Sequence, residues 1–195
     1  MRHNMLRDAE ANFMRQVCKD VAVEPELLPI GNERRAGNTA EKARLDISAR
    51  GVWSICEKSF FDVRVTYPAA PSQLAKPIKS IYREHENQKK NAYNDRVLQT
   101  EKSSFTPLVF STSGGMGPEC QRLNKRLAEL IASKQKEVYS HVISHIRCTL
   151  RFALLRATLV AVRGVRGKSR CASDLDGNDN LSFNLIPQEQ AYEGF

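Results

Sequence analysis

Ala43-Arg44-Leu45-Asp46-Ile47-Ser48-Ala49 and Ser59-Phe60-Phe61-Asp62-Val63-Arg64-Val65-Thr66-Tyr67 are two short apolar runs, each with an aspartate at its centre. Polar and apolar residues alternate with period two, the pattern of half-buried strands. In the first run Leu45 and Ile47 are expected on one face, with Arg44, Asp46 and Ser48 on the other. In the second, Phe61, Val63, Val65 and Tyr67 oppose Phe60, Asp62, Arg64 and Thr66. Both aspartates therefore fall mid-strand on polar faces. Aspartate is a poor strand former, and a carboxylate beside a core is costly unless something positive neutralises it. Two sources of that charge are open. One is a divalent metal held between neighbouring strands; the other is a pair of structural ion pairs, Arg44 with Asp46 and Arg64 with Asp62.

Downstream, three prolines between Pro68 and Pro77 exclude regular structure and lead into a helix expected from about 78 to 102. Its best stripe at helical spacing is Tyr82, Glu86, Lys89, Tyr93 and Val97, with Arg96 alongside, so charge occupies the face expected to meet the sheet. Glu86 and Lys89 also have the spacing of an ordinary surface pair worth about 0.2 to 0.5 kcal/mol. Lys90 points about 100° away. Phe105 to Ser111 reads as a fourth strand. The Gly-rich run to Pro118 reads as a tight turn opening a helix rather than a phosphate cradle, since it lacks the lysine of a P-loop. Two helices follow, over 119–136 and 138–163.

Upstream, apolar Leu6, Ala9, Phe13, Met14 and Val17 predict a helix with Asn4 as its N-cap. Asp8 and Glu10 either complement its dipole or reach toward a metal. Val21 to Pro25 is a short strand candidate; Glu24 at its end is either a third metal carboxylate or a solvated strand end. Residues 31–42 read as a loop and those from about 167 as a disordered tail. The expected order is helix, three strands, helix, strand, then two helices.

Composition bounds the partners. A chain of 195 residues holds one domain. Its net charge of +8 favours a polyanion, and the excess is local. Residues 121–170 carry twelve Lys and Arg against two acids, +10 in all, so the remainder is −2. Five cysteines without a CxxC pair fit a reducing, intracellular compartment. No apolar stretch approaches the length of a membrane span.

Asp46, the Asp62-Val63-Arg64-Val65 run sixteen positions later and the Lys89-xxx-Tyr93 pattern together resemble the PD-(D/E)XK, restriction-endonuclease-like nucleases. The likeness is to the C-terminal endonuclease region of non-LTR retrotransposon proteins. It departs from the pattern at Leu45, in place of a proline, and at Arg64, in place of a lysine. The resemblance implies an αβββαβ core with a mixed sheet, an endonuclease-like domain over 1–165 (core about 4–136, basic helical extension about 137–165) and a tail over 166–195. It implies Mg²⁺ or Mn²⁺ held by Asp46, Asp62 and the Val63 carbonyl, with Glu24 as a further ligand. Lys89 then stands in for the strand lysine, supported by Tyr93, and Arg147, Arg151, Arg156 and Arg163 hold DNA. An intracellular, nuclear setting and a reverse transcriptase of the same element as partner are implied too. In those proteins an Arg-His-Asn helix follows a Cys/His stretch, so the chain is expected to be part of a longer polyprotein. The alternative is a catalytically decayed, nucleic-acid-binding remnant in which Arg44 and Arg64 neutralise the aspartates.

Overall fold

A computed structural model describes residues 2–29 and 43–166 of the chain. They form α1 (Arg2–Val17), β1 (Lys19–Val23), β2 (Ile47–Arg50), β3 (Lys58–Thr66), α2 (Ile78–Thr100), β4 (Ser104–Ser111), α3 (Pro118–Gln135) and α4 (Tyr139–Arg166). The sheet has four strands in the order β1-β2-β3-β4. β1, β2 and β3 run antiparallel, whereas β4 lies parallel to β3. A parallel neighbour requires a crossover, and α2 supplies it. The architecture is α/β with a mixed sheet, and its elements follow the order expected from the sequence. The loop expected over 31–42 and the tail from 167 lie outside the described residues.

Period-two alternation along β3 assigns the two faces of the sheet. Phe61 and Val63 point into a large apolar cluster with Ile47, Ala49, Leu108 and Phe110, covered by Leu6 and Met14 of α1, Leu123 and Leu127 of α3 and Ile146 and Leu150 of α4. Phe60 points the other way, into a smaller cluster with Leu27, Ala43, Leu45, Val97 and Phe105. There α2 covers the sheet.

Two local expectations are corrected. Asn4 does not cap α1, which starts at Arg2 and takes Asn4 into its first turn. Nor does alternation run unbroken through the first apolar stretch: the regular strand begins only at Ile47, Asp46 lies in a bend, and Leu45 packs with Phe60 on the face opposite Ile47. The reason lies at Asp46. Its amide donates to the Phe61 carbonyl at 3.1 Å, but its carboxylate Oδ2 accepts from the Val63 amide at 2.6 Å. A side chain has taken the place of a main-chain acceptor, and the strand turns away there.

The Gly-rich turn between β4 and α3 is shaped by α2. A Cβ at Gly115 would lie 2.2 Å from the Tyr82 hydroxyl, and one at Gly117 would lie 2.5 Å from Glu86 Oε1. Glycine is needed for this close approach. The amides of Thr112, Gly114, Gly115 and Gly117 all donate within the protein, so these four are not available to cradle a phosphate.

Candidate active site

The polar face of β3 meets the charged stripe of α2 in a seam of three pairs. Lys89 Nζ lies 2.7 Å from Asp62 Oδ2. One step along the strand, Arg64 Nη1 donates to Gln88 Oε1 at 3.0 Å. At its end, Thr66 Oγ1 is 3.0 Å from His85 Nε2. Strand residues two apart share a face and helix residues three and four apart share another, so two matching periods bring the pairs together.

Asp62 is only 6% exposed. Burial pushes its carboxyl above the usual range and the nearby Asp46 charge adds to this, while the Lys89 ammonium and His3 oppose it. The Lys89 ammonium neutralises the buried Asp62 Oδ2 at close range, and among the described residues no second donor reaches that oxygen. Tyr93 packs against the smaller cluster, its ring centroid 5.8 Å from that of Phe105 and 5.6 Å from the Lys89 ammonium. The lysine is thus braced by a cation–π contact from the next turn of α2. Lys90, on the neighbouring face, pairs with Glu119 instead. Glu86 accepts the Glu119 amide at 3.0 Å and so serves the start of α3, with no role in a surface pair with Lys89.

Asp46 has a partner that sequence reasoning missed. His3 Nε2 lies 2.9 Å from Asp46 Oδ2, and a nitrogen facing a carboxylate carries the proton and donates. This hydrogen bond is the main reason the imidazole is held above its usual range, with partial burial opposing it. Histidine in the first turn of a helix carries no spacing signal toward a strand 43 residues away; its place in the Arg2-His3-Asn4 run was the only available hint.

The arginines expected to plug the site are occupied elsewhere. Arg44 pairs with Glu26, and Arg64 reaches Gln88. Glu24, exposed just beyond β1, is bonded to Arg7, which also contacts Asp8. Glu24 would join a metal site only if that pair opened. Glu10 lies in the large cluster, fully buried, with its carboxyl pushed up to about 8 by burial. The Asn124 amide, oriented by its surroundings, donates to it at 3.1 Å.

The four arginines of α4 do not form one surface. At about 100° per residue, Arg147 and Arg151 fall on one flank, and Arg156 and Arg163 lie about 120 to 140° around from Arg151 on the other. Between them, facing away from the core, run exposed Phe152, Leu155, Leu159 and Val162. Arg147 and Arg151 line a cavity of about 260 Å³ with Gly114, Gly115, Met116 and Gln121.

Among the described residues no group of three or more His, Cys, Asp or Glu is arranged to hold a metal. A two-carboxylate site still suits Mg²⁺ or Mn²⁺, because such ions prefer oxygen donors and usually take one or two carboxylates, completing their shell with water and substrate phosphate. Asp62 is buried with the Lys89 ammonium as its close partner, so its carboxylate keeps lone pairs that a cation can use. Among the described residues no helix is long and apolar enough to cross a membrane. Comparison with models of known families finds no match, and a search of curated proteins finds none either.

Proposed function

We propose that this chain is a metal-dependent DNA endonuclease domain of retroelement origin, with a restriction-endonuclease-like core, working inside the cell and on nuclear DNA. The observation that carries the reading is the placement of Lys89 on Asp62, with Asp46, in the bend before β2, bonded to the amide of Val63, the residue after Asp62. Two carboxylates and an amine, drawn from neighbouring segments of the sheet and the following helix, are parts that can serve hydrolysis of a phosphodiester.

Asp46 and Asp62 would hold Mg²⁺ or Mn²⁺, with the carbonyl of Val63, the residue after Asp62, as a further ligand. When bound, such an ion supplies charge neutralisation at the phosphate and acidifies the attacking water. The residues supply the rest. Lys89 offsets negative charge that develops on the phosphate or orients the attacking water, and Tyr93 keeps the lysine's stem in place. Arg64 cannot act as a base because guanidinium stays protonated at neutral pH; its contribution is electrostatic. Arginines on α4 bind the DNA backbone without reading sequence. A reverse transcriptase of the same element as partner belongs to the same proposal.

The test is purified chain with supercoiled plasmid in Mg²⁺, Mn²⁺ or EDTA. Nicking in either metal, abolished by EDTA and by Asp62→Ala, is the expected result. Asp62→Ala should bind DNA as well as the parent or slightly better, since a charge that repels phosphate is gone. DNA binding without nicking by the parent in either metal would make the chain a binding remnant, and equal nicking by Asp62→Ala would put the chemistry elsewhere.

A further inference from the structure

We propose that His3 is a positioning residue for Asp46, fixing which oxygen of that carboxylate faces a divalent ion. The inference rests on the endonuclease reading above and adds to it an element, α1, that the reading does not use.

A carboxylate offers two oxygens and about four lone-pair sites. On Asp46, Oδ2 accepts from the Val63 amide at 2.6 Å and from His3 Nε2 at 2.9 Å. Two donors saturate that oxygen and leave Oδ1 for a cation. They also come from different elements, a strand backbone and a helix side chain, so together they define the plane of the carboxylate as well as its position. This matters because Asp46 sits in a bend, where no regular strand pairing holds its side chain. Donors behind a ligating carboxylate orient it and tune its affinity for metal.

The position of His3 is in turn set by the core. Leu6, Ala11, Phe13 and Met14 bury one side of α1 in the large cluster. Arg7 ties the same helix to Glu24, whose own amide donates to the Asp46 carbonyl at 2.9 Å. When the ring is protonated, its Nδ1–H also donates to Asn4 Oδ1 at 3.2 Å. The imidazole is not itself a ligand in this arrangement, because the nitrogen nearest the site is the one donating to Asp46. Its side chain is 39% exposed, so removing it leaves little cavity.

The test is Mn²⁺ binding to the full chain without DNA, followed by electron paramagnetic resonance at pH 8.5, with parent, His3→Ala, His3→Gln and Asp62→Asn. A high pH favours the neutral imidazole, so the readout weighs orientation above charge. His3→Ala should weaken Mn²⁺ about 10- to 100-fold. His3→Gln, which keeps an N–H donor, should recover part of the loss, as should free imidazole added to His3→Ala. All variants should keep the parent's thermal transition. Equal Mn²⁺ affinity in parent and His3→Ala overturns the role of His3 and leaves the endonuclease reading standing, provided Asp62→Asn still weakens binding. Equal losses in His3→Ala and His3→Gln, without imidazole rescue, also overturn it. A parent that binds no Mn²⁺ overturns both.

Discussion

The two faces of the sheet do different work with the same strand. On one, Phe61 and Val63 join a continuous apolar cluster under α1, α3 and α4, where Glu10 with Asn124 is a buried polar exception. On the other, Phe60 anchors a small cluster, and Asp62, Arg64 and Thr66 meet Lys89, Gln88 and His85 under α2. Because side chains alternate, one register fixes both, and a slip by one residue would exchange core for charge. The large apolar face therefore holds the fold, which lets the α2 face carry groups that are costly to bury.

The largest effect should come from the apolar face. Phe61 is fully buried, and Phe61→Ala should cost about 3 to 5 kcal/mol in urea unfolding. Nicking per folded molecule should stay near the parent's. A loss below about 1 kcal/mol would mean that the stability resides elsewhere.

Glu10 gives a pH test of the same face. Its folded pKa is raised from 4.5 to about 8. Below about 4.5 the carboxyl is protonated in both the folded and the unfolded chain, and its full contribution is present. As pH rises toward 8 the unfolded chain gives up the proton and the folded one resists, so stability falls by up to about 1.4 kcal/mol per unit, a few kcal/mol in all. Glu10→Gln should match the parent near pH 4 and exceed it increasingly up to pH 8. Parallel stability curves for the two proteins would show that Glu10 is not buried as a neutral acid.

On the α2 face the effect should appear in rate. On the endonuclease proposal, Lys89→Ala should slow nicking by about 100-fold or more, because the charge it removes would stabilise the phosphate under attack. Lys90→Ala, which loses only the pair with Glu119, should change it little. The reverse ranking would separate the seam from the chemistry.

How far the sequence foretold this arrangement depended on the range of the signal. Ser59 to Thr66 alternates cleanly and became β3, and the Tyr82 to Val97 stripe placed Lys89 on the sheet-facing side, because both patterns repeat within one element. The break at Asp46 was hidden: Leu45 and Ile47 are both apolar and two apart, yet a carboxylate that replaces a backbone acceptor sends them to opposite faces. His3 and Glu10 were hidden for a related reason. Their partners, Asp46 and Asn124, lie far along the chain, and nothing in the local pattern of α1 names them. The arginines of α4 were legible as charge but not as a surface, since their spacing winds them around a stripe of exposed apolar residues.

That division of α4 gives the smallest and sharpest test. Arg151 lies against the Gly-rich turn, its Cγ 3.6 Å from where a Gly114 Cβ would be, and the turn touches Tyr82, two helical turns from Lys89 on the same α2 stripe. On the proposed function, a DNA backbone held at Lys89 would continue along α2 toward Arg147 and Arg151, whereas Arg156 and Arg163 lie beyond the apolar stripe. Replacing Arg147 and Arg151 with glutamine should flatten the dependence of log affinity on log salt by about 0.9 per lost phosphate contact, close to 2 for the pair. The same change at Arg156 and Arg163 should flatten it by less than about 1. All four side chains are exposed, so both double variants should keep the parent's thermal transition, which is the control for the titration. Equal flattening by both pairs would mean that DNA wraps the whole helix, apolar stripe included, and would remove the asymmetry that ties α4 to the α2 face.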